Sequence, residues 1–76
     1  MNTNEIVASN LKMWLQTREM SQADLIDASG LSSSFVSEII NCKRKQISFR
    51  SLDLIAISLE IPVYYLFQNT QIGENQ

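Results

Sequence analysis

Apolar residues recur at three- and four-residue intervals through most of the chain, the period of amphipathic helices rather than of strands. Val7, Leu11, Trp14 and Leu15 form a first stripe, with Arg18 continuing it and Asn2 or Thr3 placed to cap it. A second helix begins at Ser21, with Asp24 three residues on in a capping-box arrangement. Leu25 and Ala28 are its inward positions, and Gly30 ends it by supplying left-handed backbone. A third begins near Ser32: Phe35, Val36, Ile39 and Ile40 give it an apolar face, and Ser33, Ser34, Ser37, Glu38 and Asn41 fall mostly on the other. A polar, basic loop runs from Asn41 to Ser48, and Ser48 is placed to cap a fourth helix from Phe49 to about Glu60. Pro62 suits the first turn of a short fifth helix ending at Gln68. The pattern predicts a compact all-α bundle of five helices in one domain, residues 1–68, followed by a polar tail, 69–76, read as disordered.

Composition narrows the chemistry. The chain has 76 residues, near the lower limit for a self-supporting core, so a partner surface is expected to help. It has two glycines and one proline, too few turn signals for many short strands. No apolar stretch is long enough to span a bilayer, and the N-terminal residues do not have the pattern of a secretory signal. There is one cysteine, Cys42, and no histidine. That set supports neither an internal disulfide nor a zinc site, and it lacks the commonest general base. No phosphate loop or nucleophile elbow is present. The expectation is therefore a cytoplasmic protein that is not an enzyme and takes no cofactor and no metal.

Net charge is −2, but the charges are unevenly placed. Four of the six basic residues, Lys43, Arg44, Lys45 and Arg50, lie within one short segment, while the acids are spread along the chain. On its own such a run is a solvated loop. Its position just after the third helix gives it meaning, because the second and third helices form a pair. From Gln22 to Ile39, two short helices are joined by a turn containing Gly30, with Leu25, Leu31, Val36 and Ile39 spaced to pack one against the other. This is a helix-turn-helix arrangement, whose second helix enters the major groove of DNA.

The register extends well beyond that pair. Met20-Ser21-Gln22-Ala23-Asp24-Leu25, then Gly30-Leu31-Ser32, Val36-Ser37-Glu38-Ile39 and Asn41-Cys42-Lys43-Arg44 follow in order. Leu52, Ile55, Ala56, Leu59, Ile61, Leu66 and Phe67 complete it. In these positions the chain resembles the Cro and lambdoid phage repressor family, also called the xenobiotic-response-element family, over about residues 7 to 67. Three departures stand out. Ile26 replaces the family's usual alanine, and Cys42 its usual glycine after the recognition helix. Leu15 and Ile40 occupy the places of an arginine–glutamate pair found in many relatives. Because both partners are aliphatic, no lone buried charge results, and such a swap is often neutral or stabilising.

The resemblance implies a five-helix, lambda-repressor-like DNA-binding domain. It implies that Gln22 binds a DNA phosphate at the start of helix 2, and that Asn41, Lys43 and Arg44 hold the backbone across the groove, with Lys45 a further phosphate contact. Base reading would fall to Ser32, Ser33, Ser34, Ser37 and Glu38. The fourth helix carries a second apolar side: Leu54, Ile57 and Ile61, followed by Tyr64 and Tyr65, make a candidate dimer interface. The expected partners are a double-stranded DNA operator and a second copy of the chain, in a transcriptional regulator that acts as repressor or operon controller. The alternative is an antitoxin or other interaction module that binds a protein from the same operon as well as its own operator.

Overall fold

A computed structural model describes residues 2–68. Four α-helices and a closing 3-10 helix make up the described chain: α1 (Thr3–Thr17), α2 (Gln22–Ser29), α3 (Ser33–Ile40), α4 (Phe49–Leu59) and the 3-10 helix Val63–Phe67. The tail expected to be disordered lies outside the described residues. The last element is not an α-helix of the length expected. Pro62 stands before it in extended backbone and its carbonyl accepts from the Tyr65 N–H at 3.0 Å, an i to i+3 bond that winds the segment tightly.

Every α-helix starts on a short polar cap. Asn2 and Ser21 each form a reciprocal capping box, with Glu5 and Asp24 respectively, and Ser32 and Ser48 each accept from a backbone N–H three residues on. Sequence signals marked all four starts. The stops are different. Gly30 ends α2 at φ +76°, but Glu19, Cys42 and Glu60 also take left-handed backbone, at φ +56°, +59° and +59°. Each closes its helix with the same crossed pair of backbone bonds. At α3, for instance, the Cys42 N–H reaches the Ile39 carbonyl and the Lys43 N–H the Glu38 carbonyl, a Schellman closure.

One core binds the elements together. Val7, Leu11 and Leu15 from α1 meet Leu25, Val36, Ile39, Leu52, Ile55, Leu59 and Leu66. The helix α1 packs on α3 and on the 3-10 helix, and α2 packs on α3 and α4. Leu15 lies in this core and Ile40 packs against it, so the two aliphatic departures serve as apolar filling.

Two inward expectations fail. Ala28 is exposed: α2 turns its Leu25, Ile26 and Ser29 side toward the protein, and Ala28 falls outside that arc. Arg18 is also exposed and sits past the end of α1, where its guanidinium reaches across to cap α4, donating to the Leu59 carbonyl at 2.9 Å and the Glu60 carbonyl at 3.2 Å.

Candidate nucleic-acid interface

The helix-turn-helix is built from two capped starts and one glycine bend. Ser21 and Asp24 satisfy each other's backbone N–H at 3.0 and 2.9 Å, which fixes the first turn of α2 and leaves Gln22 exposed at its opening. Gly30 then allows the chain to reverse, its N–H bonded to the Ile26 carbonyl. A side chain there would meet no neighbour, so the requirement is for backbone conformation alone. Leu25, Val36 and Ile39 are buried between the helices, with Leu31 half-buried at the turn. These contacts settle which side of α3 looks outward.

On that outward side the serines are not equivalent. The Ser32 hydroxyl is occupied as the α3 cap, accepting from the Phe35 N–H at 3.1 Å. Ser33 and Ser34 are exposed in the first turn, with no side-chain hydrogen bond among the described residues. Ser37 is half-buried, and the Asn41 amide donates to its carbonyl at 2.9 Å and its hydroxyl at 3.2 Å. Glu38 does not project freely: its Oε1 accepts from Arg44 Nη1 at 2.9 Å. The Arg44 guanidinium also lies over the Phe35 ring, 4.4 Å from its centre.

The basic loop is held in place from α1. The Asn4 amide donates to the Arg44 carbonyl at 2.9 Å and the Lys45 carbonyl at 3.1 Å. Lys43 and Lys45 are exposed, and with Glu38, Arg44 and Gln46 they line a shallow depression at the C-terminal end of α3. Thus Glu38 of the recognition helix and Arg44 of the loop are joined, with Phe35, Lys43 and Lys45 around them. Gln22 stands apart on α2, with no side-chain hydrogen bond to α3 or the loop among the described residues. Sequence reasoning overlooked Asn4 and treated Phe35 only as core. No local signal marks Asn4, since its partners lie about 40 residues away.

A model of the Cro/C1-type helix-turn-helix DNA-binding domain matches residues 10–64. The chain belongs to that family. The match covers α2, α3 and the loop in full, so the geometry above is that of a helix-turn-helix DNA-binding domain, as the motif implied. A search of curated proteins and a search of solved structures each found no match. Among the described residues no helix is long and apolar enough to cross a membrane.

The proposed second surface is only partly available. Ile57 and Tyr64 are 63% and 58% exposed, and Leu54 is half-buried. Ile61 is a correction: it is 8% exposed and belongs to the chain's own core, where the closure of α4 drives it inward. Tyr65 is half-spent in the same way, stacked on Trp14 with ring centres 5.5 Å apart.

Proposed function

We propose that the chain is a homodimeric, cytoplasmic regulator that binds a double-stranded DNA operator in a sequence-specific way and represses or controls transcription from it. The observation that carries this reading is α3 itself, with Ser33 and Ser34 exposed in its first turn and, at its other end, a basic loop fixed by Asn4 and Glu38. In this reading α3 enters the major groove N-terminus first. Ser33 and Ser34 read base edges directly, Ser32 and Ser37 contribute through hydroxyls already engaged in the helix, and Gln22, Asn41, Lys43, Arg44 and Lys45 grip phosphates. Serine discriminates weakly, so DNA shape and bridging water carry part of the specificity. Exposed Ile57 and Tyr64, together with half-buried Leu54, form the two-fold contact that spaces two recognition helices about one helical turn, roughly 34 Å, apart.

Selection of bound duplexes from a random pool tests the reading, and it should return a two-fold symmetric site. Changing Ser33, Ser34 and Ser37 together to alanine should then relax preference at one symmetric set of positions. An unchanged preferred sequence in a folded dimer would rule out direct reading by α3. A second reading, an operator-binding antitoxin, draws on the same exposed Ile57 and Tyr64. Purification of the tagged chain with its genetic neighbours separates the two: a heteromer favours the antitoxin, a homodimer the regulator.

A further inference from the structure

The recognition helix carries an acid where DNA would approach, which is costly unless the acid has another task. We propose that Glu38 does not read bases but is a positioning residue that, with Phe35, sets the Arg44 guanidinium for a phosphate; this rests on the DNA-binding reading above. Arg44 is fixed at both ends. Asn4 holds its carbonyl at 2.9 Å, while Glu38 Oε1 accepts from Nη1 at 2.9 Å and the Phe35 ring lies beneath the guanidinium at 4.4 Å. A planar guanidinium over an aromatic face is attracted by the ring's quadrupole. With Nη1 on a carboxylate and one face on a ring, the guanidinium keeps Nη2 and Nε without a hydrogen bond among the described residues.

Side-chain exposures of 41% for Arg44 and 44% for Glu38 leave the pair reachable from solvent. The pair joins the recognition helix to the basic loop, while Leu15 and Ile40 are both apolar. Ordering a long side chain before binding removes part of the entropy otherwise lost on contact. Glu38 therefore lowers the cost of the Arg44 contact while adding some repulsion of its own.

The two effects separate in a double-mutant cycle of Glu38→Gln and Arg44→Gln, with affinity measured against the selected operator and an unrelated duplex. Repulsion by Glu38 is common to both backgrounds and cancels. With Arg44 present, Glu38→Gln should weaken both duplexes about three- to fivefold, the scale of one exposed ion pair. It should also lower the salt dependence of binding toward that of Arg44→Gln, which a purely structural role would not do. With Arg44 already replaced, Glu38→Gln should cause no further weakening. Equal effects in both backgrounds would overturn the proposal, as would tightening that depends on Arg44, which would make Glu38 a competitor of DNA. A measurement on the free protein stands independently of any DNA result. Nitrogen relaxation at Arg44 Nε should show a restrained side chain that Glu38→Gln releases, and equal mobility in the two would also overturn it. Failure of the unaltered chain to bind any duplex would instead count against the DNA-binding reading itself.

Discussion

Glu19, Cys42 and Glu60 hold left-handed backbone in positions where glycine is the easy choice. For a residue with a β-carbon this conformation costs roughly 1 kcal/mol or more. The chain accepts that cost at three helix ends because each closure satisfies two backbone carbonyls, Met20, Lys43 and Ile61 respectively taking the second bond. Cys42 is the clearest case. It is exposed, and its thiol makes one long contact, 3.9 Å from the Asn4 carbonyl. Cys42→Gly should therefore stabilise the protein by about 1 kcal/mol, raising the melting temperature by roughly 4–8 °C, as followed by circular dichroism. Unchanged or lowered stability would mean that the thiol contact matters more than the backbone.

At the scale of elements, polar side chains tie together segments that are distant in sequence. Asn10, on α1, is 4% exposed, and its amide donates to the Leu66 carbonyl at 2.8 Å and the Gln68 carbonyl at 2.6 Å. The 3-10 helix thus has its end fastened to α1 rather than relying on its own short ladder. Asn10→Leu should cost on the order of 1–3 kcal/mol, because the buried Leu66 carbonyl would lose its donor. Denaturant titration measures it, and an apolar replacement that stabilises would show that the carbonyls find water instead. Asn4 does the equivalent work for the basic loop, but at a half-buried site. Asn4→Ala should leave stability within about 1 kcal/mol while weakening DNA binding severalfold, since the loop would have to be ordered on contact. Anisotropy titration set beside a melting curve distinguishes that outcome from simple loss of fold.

For the whole molecule, an acidic total charge of −2 coexists with a local basic edge formed by Lys43, Arg44 and Lys45. DNA affinity should still fall steeply with salt, because counterion release depends on the phosphates met rather than on net charge. Lys43→Ala should reduce the slope of log affinity against log salt by about 0.9 per subunit, so about 1.8 in a dimer, equally on cognate and unrelated DNA. A loss confined to one sequence would assign Lys43 to base reading. The dimer prediction also belongs here. With Ile61 in the core and Tyr65 on Trp14, Ile57 and Tyr64 are the members of the proposed interface that stay well exposed. Changing both to aspartate should give a folded monomer with weak operator affinity. Sedimentation at micromolar concentration decides, and persistence of a dimer would place the contact elsewhere.

The starts of all four α-helices were legible because a cap is local: one short polar residue satisfies a backbone N–H three positions on, and the sequence displays both. The helix-turn-helix was legible for the same reason, its glycine bend and apolar spacing lying within residues 22–39. The stops of the third and fourth helices were legible to within a residue, but the left-handed backbone at Glu19 and Glu60 was not, since Glu carries no signal for it; the closing bonds and the packing beyond them impose it. The site divides along the same line. Sequence alone named the serines of α3 and the basic run. Only the folded chain brought Asn4 beneath the loop, set Arg44 between Phe35 and Glu38, withdrew Ile61 from the surface and turned Ala28 outward. Those outcomes depend on contacts between residues far apart along the chain or on the angle at which a helix meets its neighbours, and neither is written in a periodicity.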